Sequence, residues 1–157
     1  MSFGGFLAFD IDTISYCRKD LHPSAVFHQQ LRSPYTVTAF CQVDEYDIKT
    51  KKTKQGSAFM RYLFATETGE LFMLAFHMDA LNQILEHDLH SGAMIDPQVV
   101  DQLITIEFLA SKLTFCSSLV YLDNSFVFYS SREGDSFILK IWAERQEKQD
   151  QPYITIE

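Results

Sequence analysis

The sequence lacks the features of a membrane or exported chain. No apolar run approaches the roughly 20 residues that span a bilayer. Residues 1–9 are apolar but lack the basic segment of a signal peptide, and Asp10 and Asp12 interrupt them. Cysteine is scarce, and the three thiols are odd in number, widely spaced and in or beside predicted strands, at Cys17, Cys41 and Cys116. This pattern predicts reduced, core-packed thiols in an intracellular chain.

The sequence also lacks the common signatures of catalysis. It contains no Walker loop and no dinucleotide fingerprint, and Ser130 and Ser131 are not in a Gly-x-Ser-x-Gly elbow. His87 and His90 have i, i+3 spacing on a predicted helix, but no third metal ligand with motif spacing follows them. We therefore interpret them as a solvated helix face, predict no catalytic residue, metal or cofactor, and keep a metal-assisted enzyme as an alternative.

Positive charge is in short supply as well. The formal net charge is −8, which repels a phosphate backbone and argues against direct, non-specific nucleic-acid binding. One basic cluster lies beside acidic residues in a predicted loop, at Lys49, Lys51, Lys52 and Lys54. We interpret it as a solvated loop, with a phosphate or an acidic partner as the alternative.

Aromatic residues are abundant, and they favour β-structure. Hydrophobic residues make up 46% of the 157 residues, with 14 phenylalanines and 7 tyrosines. A β-hairpin is predicted at 126–129 and 137–139, because a polar segment at 130–135 with Gly134 supplies a turn that needs positive φ. We expect the rings to form a core rather than a platform on which bases stack.

The hairpin pattern recurs upstream. Gly69 and Gly134 are 65 positions apart and have similar neighbours, and further copies lie at 62–65 with 71–74 and at 6–9 with 13–16. Recurring hairpins predict an all-β fold made of β-propeller blades. About two and a half blades fit in the chain, and since a propeller needs at least four, we interpret the chain as a piece of a longer protein.

The predicted layout is a partial propeller over 1–143, followed by a polar linker at 144–157 with one possible extra strand at 153–156. The propeller comprises a hairpin at 3–17, a blade at 24–77, a helix at 80–91 and a blade at 102–142. We expect Asp79 to cap the helix. The predicted strands are 24–31, 35–43, 58–65 and 70–77 in the first full blade, and 102–110, 115–122, 125–130 and 136–142 in the second.

The turn residues of the last hairpin have structural explanations. Arg132, Glu133 and Asp135 are residue types that acid–base chemistry uses, but turn geometry explains them better. We expect Asp135 to accept backbone N–H bonds and Arg132 to reach a neighbouring carboxylate.

The segment YLDNSFVFYSSREGDSFILKI at 121–141 resembles the hairpin signature of a family of scaffold proteins. The family includes the large subunits of the UV-damaged-DNA-binding protein and of the cleavage and polyadenylation specificity factor, and a splicing factor 3b subunit. Two further segments are similar to earlier hairpins of the damaged-DNA-binding subunit. They are TGELFML at 68–74, and FGG at 3–5 with ISY at 14–16. The match is to the closing blades of the first propeller.

The resemblance implies a non-enzymatic scaffold. The resemblance implies that the protein is an adaptor of cullin-based ubiquitin ligases. Such an adaptor acts in DNA repair by holding substrate receptors, and it contacts damaged DNA only indirectly. The alternative within the family is a scaffold for splicing or polyadenylation. The implied location is the nucleus, with the cytoplasm left open, and no membrane partner is expected. The resemblance identifies no partner-binding residue. The open strand edges predict self-association of the isolated chain.

Overall fold

A computed structural model describes residues 6–9, 13–17, 27–30, 36–44, 46–47, 52–53, 58–83, 103–141 and 154–156. Within these ranges the chain forms strands and one short helix, α1, described over 78–83. The strands, in chain order, are β1 Phe6–Phe9, β2 Thr13–Cys17, β3 Phe27–Gln30, β4 Val37–Val43, β5 Tyr46–Asp47, β6 Lys52–Thr53, β7 Phe59–Thr66, β8 Leu71–His77, β9 Ile104–Ala110, β10 Cys116–Asp123, β11 Phe126–Ser131, β12 Phe137–Ile141 and β13 Ile154–Ile156.

The described strands form antiparallel sheets in which neighbours in sequence are mostly neighbours in space. The first sheet has the order β1-β2-β3, the second β4-β7-β8-β9 and the third β10-β11-β12-β13, while β5 and β6 form a small ribbon. Aromatic and β-branched residues dominate the long strands, as expected for side chains on a pleated, buried surface. The all-β class and the open, incomplete propeller-like arrangement predicted from the sequence are confirmed.

The predicted grouping of strands into blades is wrong at two positions. The predicted strand 24–31 contains β3, which pairs with β2 and not with β4. In the same way 102–110 contains β9, which completes the second sheet beside β8. The extra strand predicted at 153–156 is confirmed: it is β13, which pairs with β12 at the edge of the third sheet. Residue patterning predicts where strands lie, but it does not determine which neighbour a strand pairs with across a long connection.

Two smaller predictions also change. Helix α1 begins at residue 78, so Asp79 lies within its first turn rather than at the N-cap. The predicted loop with the lysine cluster contains the β5–β6 ribbon, in which Asp47 pairs with Lys52. Residues 84–91 of the predicted helix lie outside the described part of the chain.

The main core lies between the second and third sheets. Alternate residues of each strand point to the same face, and β4 contacts β10 where the two sheets meet. The buried residues of this core are Ala39, Val43, Leu63, Ala65, Leu71 and Met73 from the second sheet, and Cys116, Leu119, Val127, Tyr129, Leu139 and Ile141 from the third.

The structure confirms the internal repeat through a pair of aromatic contacts. Phe64 stacks on Phe72, with ring centroids 5.1 Å apart and planes 11° apart. Tyr129 stacks on Phe137, with centroids 4.5 Å apart and the same interplanar angle of 11°. Both pairs are cross-strand neighbours in their sheets, and each member of one pair lies 65 positions from its counterpart. The β7–β8 and β11–β12 hairpins are therefore equivalent units.

The two hairpin glycines are not equivalent in conformation. Gly69 has φ of 73°, so the prediction of positive φ holds there. Gly134 does not have positive φ, and that prediction is wrong. The longer loop between β11 and β12 reverses the chain with serine hydrogen bonds instead: the Ser131 Oγ accepts from Glu133 N and the Ser136 Oγ accepts from Ser131 N, each at 3.2 Å.

Candidate interaction surface

The signature hairpin of the third sheet provides structure, not a reactive group. Arg132, Glu133 and Asp135 are exposed. The side chains that accept backbone N–H groups in this turn are serines, so the prediction that Asp135 is the acceptor is wrong. In the described residues Arg132 forms no ion pair. A short hydroxyl accepts a backbone N–H close to its own position with little loss of rotamer freedom. This turn therefore stabilises the hairpin.

The turn before β11 has an unusual backbone. Asp123, Asn124 and Ser125 all have positive φ, at 119°, 49° and 74°. Asn124 N donates to Asp123 Oδ1 at 2.7 Å, and Ile141 N donates to Ser125 O at 2.8 Å. Asp and Asn tolerate the left-handed region better than other residues with a Cβ. The Asp-Asn pair of the signature therefore suits the tight β10–β11 connection.

One cleft with polar side chains lies where α1 meets the second sheet. Its volume is about 200 Å³, and its lining residues are Ala58, Phe59, His77, Asp79, Ala80 and Gln83. The His77 ring is edge-on to Phe59, with centroids 4.4 Å apart, and its Nε2 is 3.4 Å from Thr105 Oγ1. Burial, followed by the nearby Arg61 charge, lowers the pKa of His77. A neutral imidazole packed on an aromatic ring is a structural group in this setting.

The described residues contain no arrangement typical of catalysis. Among them, no three His, Cys, Asp or Glu side chains are close enough to hold a metal ion. The alternative metal ligands, His87 and His90, lie outside the described ranges, as do Lys49, Lys51 and Lys54 of the basic cluster. Those interpretations remain predictions. In the part of the chain that is described, no helix is long and apolar enough to cross a membrane.

Two of the cysteines are buried in the main core as free thiols. Cys116 is fully buried and Cys41 partly so. Burial, with a smaller contribution from the neighbouring Cys116, raises the pKa of Cys41 to about 12, and burial raises the pKa of Cys116 to about 11. The prediction of reduced, core-packed thiols is confirmed for these two, while the side chain of Cys17 lies outside the described set.

These thiols predict a loss of stability at alkaline pH. Their pKa values are higher in the folded chain than in the unfolded chain, so the folded state retains its protons longer. The stability is therefore fully present below the unfolded thiol pKa, and it is lost as pH rises from about 9 toward 11. We expect the free energy of unfolding, measured with urea between pH 7 and 10, to decline above pH 9. The Cys116→Val variant should decline less steeply, and equal slopes would contradict the assignment.

Sequence patterning missed a set of apolar side chains that are exposed. A row of four phenylalanines crosses the second sheet in register, Phe40, Phe64, Phe72 and Phe108. The inner two are buried, but Phe40 is 60% exposed and Phe108 is 55% exposed. Large apolar side chains on a protein surface mark interaction sites when they form a contiguous patch. A sequence signal for exposed apolar residues was present in the third sheet. In β11, FVFYSS, the first four residues in a row are apolar or aromatic, so both faces of the strand are apolar, as in a sheet that is covered on both sides.

The third sheet carries the larger exposed apolar surface. We define its outer face as the side of the sheet that points away from the second sheet. Val120, Phe128 and Ile138 lie on this face in one register row across β10, β11 and β12. Leu122 and Phe126 extend the apolar surface, and the Lys140 Nζ lies 5.7 Å from the centroid of the Phe126 ring.

Antiparallel meander sheets that pack face to face and repeat a common hairpin define a β-propeller scaffold. Residues 2–155 match the family model described as the RSE1/DDB1/CPSF1 first beta-propeller, and the chain belongs to this family. No individual curated protein matches the chain. The family is one of propeller scaffolds, for which protein–protein interaction is the general role.

Proposed function

We propose that this chain is part of an adaptor that holds substrate receptors for a cullin-type ubiquitin ligase and acts in DNA repair in the nucleus. The observation that carries the proposal is the match of residues 2–155 to the first propeller of the family. The segments at 68–74, and at 3–5 with 14–16, resemble hairpins of the damaged-DNA-binding member of that family and support this choice. The chain contributes surface and no chemistry.

The charge of the chain supports contact with proteins rather than with DNA. A net charge of −8 opposes binding to a phosphate backbone, whose affinity for proteins depends on lysine and arginine contacts. Exposed apolar rings such as Phe40 and Phe108 are instead the type of anchor that protein interfaces use. Damaged DNA is then reached through the bound receptors.

The proposal predicts which proteins co-purify with the chain. We expect a tagged form, isolated from nuclear extract and analysed by mass spectrometry, to carry a cullin scaffold and its receptors. The destabilised Gly69→Ala variant should recover less of these partners, because a propeller surface exists only while its sheets are folded. Gly134→Ala, in which the hairpin is retained, is the matched control.

The same experiment separates the two roles within the family. Recovery of splicing or polyadenylation subunits in place of cullin components would replace the proposal with the RNA-processing scaffold. Undiminished recovery of receptors by an unfolded Gly69→Ala variant would show that the folded sheets are not needed, and would reject the surface as their binding site.

A further inference from the structure

The cleft between α1 and the second sheet lies at the end of that sheet where its two longest connections leave. β7 begins and β8 ends here, since Phe59 pairs with His77, and Met78 N donates to Ala58 O at 2.9 Å. The connection from β4 to β7 and the one that begins with α1 both start at this end. Connections held by a rigid sheet are where binding sites are concentrated. The cleft is therefore placed where a partner can reach it.

The walls of the cleft are small and uncharged except at one residue. Ala58 and Ala80 leave about 200 Å³ open between the strand and the helix. This volume is smaller than that of clefts that enclose whole small-molecule ligands, so it suits a single side chain. Gln83 contributes an amide, which can donate and accept hydrogen bonds. Of the six lining residues only Asp79 is acidic, and none is lysine or arginine.

The Asp79 carboxylate has no counter-ion among the described residues, where it forms no ion pair and accepts no hydrogen bond. The imidazole in the wall, His77, is uncharged at neutral pH because burial, followed by the Arg61 charge, lowers its pKa. Arg61 is not a lining residue, and its guanidinium lies over the Phe59 ring, 4.9 Å from the centroid. Arg61 also interacts with a carboxylate on the same face of the sheet: burial raises the pKa of Glu107, and the Arg61 charge opposes that shift. The cleft therefore presents a negative charge to an incoming group.

We propose that this cleft receives one basic side chain, arginine or lysine, from a protein partner. The Asp79 carboxylate accepts from the cationic end of that side chain, and the Gln83 amide oxygen is a second acceptor. The alkyl part of the side chain lies against Ala58, Ala80 and the Phe59 ring. The Asp79 charge repels an acidic side chain, and an apolar one would leave the carboxylate and the amide without partners.

The inference goes beyond the proposed function, because it specifies the chemistry of a partner's anchoring residue. Arginine is enriched among the few residues that contribute most of the binding free energy at protein interfaces. A basic anchor fits a receptor of a ligase adaptor and a subunit of an RNA-processing complex equally well. The site is thus independent of which role the family member has.

Titration of the 157-residue chain with short peptides, followed by NMR, tests this inference. The probes are Gly-Gly-Arg-Gly-Gly with blocked ends, its lysine counterpart, and the same peptide with citrulline, which has the shape of arginine without its charge. At neutral pH and low salt, the arginine and lysine peptides should shift the backbone amide resonances of Asp79, Ala80 and Gln83 saturably at millimolar concentration. The citrulline peptide should not.

Two variants identify the groups that bind the cation. Asp79→Asn should raise the Kd of the arginine peptide about 5-fold, the size expected for a well-oriented ion pair at an exposed residue. Gln83→Ala should raise it about 2-fold, through the loss of one hydrogen bond. The matched control is Glu67→Gln, which removes the same charge from an exposed side chain in the β7–β8 turn at the opposite end of the sheet. It should leave the Kd unchanged.

Three results would overturn the proposal. Equal binding of the arginine and citrulline peptides would show that the cleft does not recognise charge. Equal weakening by Asp79→Asn and Glu67→Gln would assign the binding to the net charge of −8 and not to the cleft. The absence of any saturable shift would show that no basic side chain enters. Because the experiment contains no cullin and no receptor, its failure is separate from a failure of the co-purification experiment.

Discussion

Gly69→Ala is expected to lower the free energy of unfolding by about 3 kcal/mol or more, through strain at a single turn. Gly69 has φ of 73°, a conformation that costs a residue with a Cβ about 1–2 kcal/mol. A Cβ at this position would also overlap the carbonyl oxygen of Leu113. That carbonyl cannot move freely, because Leu113 N donates to Gly69 O at 3.0 Å and fixes the loop on the hairpin.

The effect should extend beyond the β7–β8 turn. Residues 111–115 connect the second sheet to the third, and the contact between Gly69 and Leu113 sets where that connection crosses the hairpin. We expect urea unfolding followed by circular dichroism to show a lower midpoint, with the loss of both sheets in one transition. A separate early loss of only part of the signal would contradict this coupling.

Gly134→Ala is the matched control for the same substitution. Gly134 does not have positive φ, and the nearest atom to an added Cβ is the Thr114 Cγ2, at 2.7 Å. A methyl at the end of a side chain can shift by rotation, which costs about 0.5–1.5 kcal/mol. The control should therefore lose about 1 kcal/mol. Equal losses at Gly69 and Gly134 would show that the backbone contact with Leu113 is not the cause.

The sequence predicted the local units of this fold well. Both hairpins, β7–β8 and β11–β12, were predicted because short polar turns separate runs of aromatic residues, and such turns determine strand pairing directly. The pairing of β3, β9 and β13 was not predicted. Each of these strands joins its sheet as an edge, and edge pairing depends on the long connection and on the neighbouring sheet rather than on the residues of the strand itself.

The candidate surface was less predictable than the fold. An apolar residue in a strand, such as Phe128 or Phe108, looks the same in the sequence whether a neighbouring sheet covers it or not. The sequence therefore predicted a ring buried in a core where the structure has an exposed one. The 65-residue repeat pairs Phe128 with Leu63, but only the structure shows that Leu63 is buried and Phe128 exposed.

Tyr129 is the second position at which a substitution should have a large effect. Its side chain is fully buried, and its ring stacks on Phe137 in the core between the second and third sheets. Its hydroxyl donates to Thr114 O at 2.6 Å, which attaches the connecting loop to the third sheet. Burial raises the pKa of the Tyr129 hydroxyl far above its usual value, so the group remains a donor throughout the neutral range.

We expect Tyr129→Ala to lower the free energy of unfolding by about 4 kcal/mol, the cost of removing a buried aromatic ring. Tyr129→Phe should cost about 1–3 kcal/mol, because the ring stays in place while the Thr114 carbonyl loses its buried donor. The second sheet has phenylalanine at the equivalent position, Phe64, so the ring alone is compatible with this type of packing. Urea unfolding at neutral pH measures both variants. If Tyr129→Phe is as stable as the wild type, the hydroxyl does not hold the loop; if it is as unstable as Tyr129→Ala, the hydroxyl and not the ring determines the stability of this core.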